Sequence, residues 1–133
     1  MEYSIITTCD KGYFLFLKKL VDSVFSLCKE ERIKNFIVVN TGLSEDQVQY
    51  LTLKSEKICF IETGMNTQFK GGIWGSDWSL NVQSKTVTLF ETAINLDHPV
   101  LMLDADMEVL RDLSELLNYG GDIQVCFRPN KET

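Results

Sequence analysis

The feature that most constrains the fold is an alternation of short, continuous apolar runs with longer segments whose apolar residues recur every three or four positions. These runs lie within residues 3–8, 35–41, 57–61, 100–103 and 123–127, and the second of them is Phe36-Ile37-Val38-Val39. Runs of this length that are apolar at nearly every position predict strands buried on both faces, and the segments between them predict helices. The sequence therefore predicts an α/β domain with a mostly parallel sheet between two helical layers.

Helices are predicted from apolar spacing and from capping residues. The first, residues 13–29, has one apolar face, made of Leu17, Leu20, Val21, Val24, Phe25 and Cys28. Ser44 and Gln47 have the spacing of a capping box, which opens a second helix carrying Val48 and Leu51. A third helix over residues 81–96 ends before His98-Pro99, because the residue before proline is pushed out of the helical region.

Two further segments are read from their polar residues. Residues 64–77 are rich in Gly, and the segment is too long and too polar for a routine connection, which predicts a functional or mobile loop. Trp74, Asp77 and Trp78 either form a stacking platform or a lid for a ligand, or anchor this loop to the core. Asp112 is predicted to cap a short helix before the last strand.

Composition and charge narrow the class of partner. With 133 residues, 44% of them hydrophobic, the chain can bury one core. It carries 19 acidic against 13 basic residues and no basic cluster, which argues against a nucleic-acid partner. No run approaches the roughly 20 apolar residues of a transmembrane segment. The scattered Cys9, Cys28, Cys59 and Cys126 predict free thiols and a cytoplasmic location.

The polar motif with the clearest chemistry is Asp104-Ala105-Asp106, which follows the fourth apolar run directly. Ligands of open α/β sheets bind at the carboxyl ends of the strands. Two carboxylates at that edge suit Mg²⁺ or Mn²⁺, which complete their coordination with phosphate oxygens. The small Ala105 leaves space for a ribose or a phosphate. Asp-X-Asp also occurs by chance in acidic loops, so the position after a strand is what makes this motif informative.

The order of these strands and helices, together with the Asp-Ala-Asp motif, resembles that of the GT-A glycosyltransferases. The resemblance is especially to the group that includes glycogenin and the bacterial lipopolysaccharide galactosyltransferases. Residues 5–10 look like the first strand and its nucleotide loop, and Ser84-Lys85-Thr86 lies on the helix before the motif. Residues 99–106 look like the metal-binding strand and are the specific part of the resemblance. The implied fold is a Rossmann-like three-layer sandwich, with residues 1–133 as one nucleotide-sugar-binding domain.

The resemblance also implies an activity. The expected enzyme is a metal-dependent hexosyltransferase that moves a sugar from a nucleotide-diphosphate donor, UDP, to a hydroxyl of a saccharide, protein or lipid-linked glycan. Mn²⁺, or Mg²⁺, would bridge the donor phosphates to Asp104 and Asp106. No residue of this sequence is identified as a general base.

Four residues are implied as further donor contacts. Thr8, Cys9 and Asp10 would line the base and ribose, mostly through backbone groups, and Lys85 would reach the ribose or phosphate side. Each also has a structural interpretation. Asp10 fits a cap of the following helix, Thr8 fits an ordinary strand residue, and Lys85 fits a solvated helix charge.

Alternatives to this interpretation remain at the level of sequence. Enzymes of this group usually continue past the fifth strand and supply a further metal ligand, commonly His; the single histidine here, His98, lies in a helix-ending turn. We therefore expect a C-terminally truncated domain, and a non-catalytic nucleotide-sugar-binding module is one alternative. A haloacid-dehalogenase-type phosphatase is another, although Glu108 stands where its motif has Thr or Val. No Gly-X-Gly-X-X-Gly follows the first strand, which disfavours dinucleotide binding.

Overall fold

The computed structural model describes residues 2–62, 87–89 and 91–118 of the chain. The strands and α-helices, in chain order, are β1 (Tyr3–Cys9), α1 (Phe14–Leu27), β2 (Ile33–Asn40), α2 (Glu45–Lys54), β3 (Ile58–Glu62) and β4 (Val100–Met102). Short 3-10 helices span Lys11–Tyr13, Glu30–Arg32 and Leu113–Asn118, and residues 87–89 and 91–95 are helical. The predicted loop 64–77 and fifth strand 123–127 lie outside the described residues.

The four strands form one parallel sheet in the order β3-β2-β1-β4. From β1 the chain steps to β2 and then to β3 in one direction, and it later returns to add β4 on the other side of β1. The connections reverse direction at β1, which is the topological switch point of a doubly wound sheet. The predicted parallel α/β fold is confirmed.

The larger core lies between the sheet and the layer of α1 and α2. Tyr3, Ile5 and Cys9 of β1 belong to it, and Leu51 of α2 is fully buried there. The predicted apolar face of α1 is buried as expected at Leu17, Leu20, Val21, Val24 and Cys28. Each such aliphatic side chain contributes about 1.5–3 kcal/mol when fully buried. This face of α1 therefore fixes the helix against β1.

The opposite face of the sheet carries a second, smaller core. Ile6, Ile37 and Val39 are buried there, and the partly buried Leu89 and Leu96 pack against them. Residues that alternate along β1 and β2 thus face different helical layers. This two-sided burial explains why apolar residues stand next to one another in the strands, as at Ile5-Ile6 and in the run 36–39, and it yields the three layers predicted from the sequence.

Capping residues set the helix ends. Ser44 and Gln47 form the predicted capping box, with the Gln47 amide donating to Ser44 Oγ at 3.2 Å and the Ser44 amide donating to Gln47 Oε1 at 3.0 Å. The predicted first helix begins one residue later than expected, because Lys11–Tyr13 forms a 3-10 turn instead. Asp112 also caps as predicted, but the helix that follows it, Leu113–Asn118, is a 3-10 helix.

Two hydroxyl groups of β1 should have opposite effects on stability. Thr7 is 1% exposed, and its hydroxyl lacks a hydrogen-bond partner among the described residues, whereas Ser4 Oγ lies 2.7 Å from His98 Nε2. We expect Thr7→Val to raise the free energy of unfolding by about 1 kcal/mol and Ser4→Ala to lower it by a similar amount. Urea denaturation measures both, and a destabilised Thr7→Val variant would contradict this account of the Thr7 hydroxyl.

Candidate functional site

The candidate site lies where β1 and β4 end side by side. Ile6 is paired with Met102, and the Leu103 amide donates to the Ile6 carbonyl at 3.0 Å, so the pairing continues one residue past β4. Residues 8–10 and 104–106 therefore emerge at the same carboxyl edge. The helix after β1 packs on the larger core, whereas Leu89 and Leu96, before β4, pack on the smaller one. Ligands of open α/β sheets bind at such a switch point.

The Asp-Ala-Asp motif forms a tight turn at this edge. The Met107 amide donates to the Asp104 carbonyl at 3.0 Å, which makes Ala105 and Asp106 the central residues of a β-turn. Asp104 is half-buried and Asp106 is exposed. Ala105 is 5% exposed and belongs to the larger core.

The segment after the motif is attached to α1. The Val109 amide donates to Ser23 Oγ at 2.9 Å, and Ser23 Oγ donates in turn to the Leu20 carbonyl at 2.8 Å. Val109 and Leu113 are buried in the larger core. The turn is therefore held upstream by β1 and downstream by α1.

At the end of β1, Asp10 has a structural role. Its side chain is 2% exposed, and Oδ1 accepts hydrogen bonds from the amides of Gly12 at 2.9 Å and Tyr13 at 3.3 Å. The carboxylate thus caps the 3-10 turn that leads into α1, which is the capping interpretation left open by the sequence. This cap fixes the direction in which the chain leaves the site.

Cys9 and Thr8 are both buried at this edge, and the Cys9 side chain is not reactive. Cys9 Sγ donates to the Asp10 carbonyl at 3.2 Å, and the Cys9 carbonyl accepts the Thr41 amide at 3.1 Å. Burial, together with the charge of Asp10, raises the pKa of the Cys9 thiol to about 12. The thiol stays protonated at neutral pH, and a thiol in that state is neither a nucleophile nor a metal ligand. Thr8 is buried beside it.

Two polar residues that the sequence analysis did not single out extend this edge. Asn40 is the register partner of Cys9 on one side and of Glu62 on the other. Its Nδ2 donates to both carboxylate oxygens of Glu62, at 3.1 and 3.2 Å, and its Oδ1 accepts the amides of Gly42 and Leu43. Asn40 and Glu62 also line an open cavity of about 410 Å³ beside α2. The signal in the sequence that could have identified Asn40 is its place as a polar residue directly after the apolar run 36–39.

Of the remaining predicted residues, only His98 lies in the part of the chain that the structure describes. Lys85, Trp74, Asp77 and Trp78 lie outside the described residues. His98 lies at the amino end of β4, in the predicted bend after the helix, and hydrogen-bonds to Ser4 and Asp97.

The Ser4, His98 and Asp97 side chains lie in the order of a hydrolase triad. Ser4 Oγ is 2.7 Å from His98 Nε2, and His98 Nδ1 is 3.1 Å from Asp97 Oδ1, a hydrogen bond that lowers the pKa of Asp97. Ser4, however, is fully buried in β1. A nucleophile must be reachable by its substrate, so this arrangement ties β4 to β1 and is not a hydrolytic site.

The donor atoms at the switch point fit one kind of metal. In the part of the chain that the structure describes, no group of three His, Cys, Asp or Glu residues could hold a metal ion. Asp104 and Asp106 provide two carboxylates within one turn. Such a pair fits a hard cation that takes its other ligands from phosphate oxygens and water, as Mg²⁺ commonly does.

Among the comparisons with known proteins, the comparison with solved structures finds matches. No protein-family model matches the sequence, and no curated protein matches it. The galactosyltransferase LgtC, solved with donor and acceptor sugar analogues, matches with a TM-score of 0.62 and 20% identity over 88% of this chain and 42% of that chain. TarS of S. aureus matches with a TM-score of 0.54 and 14% identity over 88% of this chain and 19% of that chain.

A shorter TarS chain solved in complex with UDP matches with a TM-score of 0.55 and 13% identity, over 88% of this chain and 31% of that chain. The chain therefore has the GT-A fold of the glycosyltransferases. It spans less than half the length of each of these three chains. Among the described residues, no helix has the length and apolar character needed to cross a bilayer.

The Asp10 cap can be tested by stability alone. Asp10→Ala should lower the free energy of unfolding by about 1 kcal/mol, because the amides of Gly12 and Tyr13 lose their acceptor. Asp10→Asn should remain within a few tenths of a kcal/mol of the parent chain, since Asn caps about as well as Asp. Urea denaturation of the two variants separates these results, and equal losses would contradict a capping role.

Proposed function

We propose that this chain is the donor-binding part of a metal-dependent glycosyltransferase that holds a UDP-sugar at the carboxyl edge of β1 and β4. The observation that carries the proposal is the Asp104-Ala105-Asp106 turn, which lies at the switch point of a sheet with the GT-A fold. The same edge gathers the end of β1, so a ligand there contacts two segments far apart in sequence.

The choice of donor is supported by the structural neighbours. TarS has been solved in complex with UDP and with UDP-GlcNAc, and LgtC with a donor sugar analogue. In this chain we place the base and ribose beside the end of β1, at Thr8, Cys9 and Asp10, with contacts mostly through backbone groups. Asn40, the neighbour of Cys9 on β2, would bound the nucleoside end. Lys85 is proposed to reach the ribose or phosphate side.

The diphosphate is proposed to lie against the turn, bound through Mn²⁺ or Mg²⁺. Asp104 and Asp106 would hold the cation, and the backbone at Ala105 would approach the donor. When bound, the cation neutralises the negative charge that grows on the leaving nucleoside diphosphate. The hydrogen bond from the Met107 amide to the Asp104 carbonyl, which closes the turn, and the exposure of Asp106 support this assignment.

The rest of the activity belongs to the same proposal. The transferred sugar would pass to a hydroxyl of a saccharide, protein or lipid-linked glycan acceptor, and we place the reaction in the cytoplasm. The buried free thiols of Cys9 and Cys28 support a reducing compartment.

A binding module without transfer activity is the second candidate. It is kept because the likeness to LgtC and TarS is one of fold, and a fold does not by itself determine activity.

Calorimetric titration with UDP, with and without Mn²⁺, tests the metal-dependent donor site. We expect binding that requires Mn²⁺ and that weakens at least about tenfold, or 1.4 kcal/mol, in Asp106→Ala. Glu108→Ala is the matched control, because it removes another exposed carboxylate two residues away and leaves the motif intact. Binding that is equally tight without Mn²⁺, or equally weakened by both substitutions, would contradict the assigned metal ligands.

Two outcomes of this titration separate the candidate functions. Metal-dependent UDP binding followed by neither hydrolysis of a UDP-sugar nor transfer to added acceptors would favour the binding module. The absence of UDP binding under any condition would remove the support for both candidates.

The variant Asp10→Asn tests how the nucleoside is contacted. Since it preserves the cap, any change in UDP affinity reports on the carboxylate charge alone. We expect an affinity within about twofold of the parent chain, because Asp10 is proposed to act through its backbone. A tenfold loss at unchanged stability would instead assign the Asp10 carboxylate a direct contact with the donor.

A further inference from the structure

We propose that Ser23, on α1, is a positioning residue for the Asp104-Ala105-Asp106 turn. This inference rests on the proposed function, because its consequence is a change in metal-dependent donor binding. The Ser23 hydroxyl forms hydrogen bonds with Leu20 and Val109, and with neither aspartate of the motif. Its effect would be transmitted through the segment that follows the motif.

The Ser23 hydroxyl is engaged on both of its sides. It donates to the Leu20 carbonyl at 2.8 Å and accepts the Val109 amide at 2.9 Å. A serine hydroxyl inside a helix often donates to a carbonyl of the preceding turn, and that bond alone would be unremarkable. The bond from Val109 is different, because it joins residues 86 positions apart and links α1 to the motif segment.

This bond completes a two-ended attachment of the motif. Upstream, the Leu103 amide is bonded to the Ile6 carbonyl of β1 at 3.0 Å. Downstream, the Val109 amide is bonded to Ser23 at 2.9 Å. Between these two points lie the five residues 104–108, with one backbone hydrogen bond closing the turn. Both proposed metal ligands fall in this short span, which is held at its ends by β1 and α1 and at its centre by the buried Ala105.

Apolar packing cannot replace the downstream hydrogen bond. Val109 and Leu113 are buried in the larger core, which keeps the segment against α1. Burial is non-directional, however, and tolerates small shifts and rotations of the backbone. A hydrogen bond requires a narrow range of distances and angles, so it fixes the position of Val109 along α1. Metal ligands must be held within roughly 0.5 Å of a working geometry.

Asp106 depends on this attachment more than Asp104 does. Asp104 is half-buried and follows the residue bonded to β1, whereas Asp106 is exposed in the centre of the turn. A looser downstream end would therefore move Asp106 first. Groups that orient metal ligands in this indirect way typically change metal affinity by 10–100-fold when they are removed.

The test compares three single substitutions by UDP titration in the presence of Mn²⁺. Ser23→Ala removes the hydroxyl and should weaken binding about tenfold. Ser23→Thr keeps the hydroxyl and should restore binding to near the parent value. Ser26→Ala removes the same group from an exposed position of α1 and should leave binding unchanged. Hydrogen exchange at the Val109 amide should accelerate in Ser23→Ala alone.

A second pair keeps the test decisive if Ser23→Ala folds poorly. Ser23→Thr and Ser23→Val have nearly the same shape and differ by the hydroxyl, so a tenfold difference in UDP affinity between them supports the positioning role. Equal affinities in this pair overturn it. If the parent chain shows no Mn²⁺-dependent UDP binding, the proposed function itself fails and the inference falls with it. Mn²⁺-dependent binding that is unchanged in Ser23→Ala overturns the inference alone.

Discussion

The pairing of β4 with β1 is the interaction on which the rest of the site depends. β1 is the central strand, with β2 on one side and β4 on the other, and its side chains are buried on both faces. Because β4 returns to β1 after β3, residues about a hundred positions apart reach the same edge of the sheet. Without this pairing the Asp104-Asp106 turn would not meet the end of β1, and the sheet would have no switch point at which to open a crevice.

β4 has three residues, so few ladder hydrogen bonds hold it in place. Contacts beyond the strand compensate at both ends. At the amino end, the Ser4 amide donates to the Pro99 carbonyl at 2.9 Å and the Ser4 hydroxyl pairs with His98. At the carboxyl end, the Leu103 amide bonds to β1 and the Val109 amide bonds to α1. The position of the motif is thus determined by groups that lie outside the motif itself.

Local patterning predicts the elements of this fold well and their assembly less well. Strands buried on both faces are apolar at nearly every position, and Ser44 and Gln47 mark a helix start through adjacent groups, so both are visible in the sequence. The Asn40-Glu62 pair was not predicted, because it depends on β2 lying beside β3, and strand order is not a local property. The role of Asp10 stayed open for a similar reason, since a cap and a ligand contact require the same residue type.

The charge of the site gives a physical reason to expect a cation with the donor. The chain carries a net charge of -6, and the carboxylates of Asp104 and Asp106 lie where we place the diphosphate. Two unit charges of like sign about 4 Å apart repel by roughly 1 kcal/mol in water and roughly 4 kcal/mol near a protein surface. A diphosphate set directly against this turn would be repelled. A divalent cation bound between the carboxylates and the diphosphate would replace this repulsion by attraction. Thermodynamic linkage then requires that the donor strengthen cation binding by the same factor by which the cation strengthens donor binding.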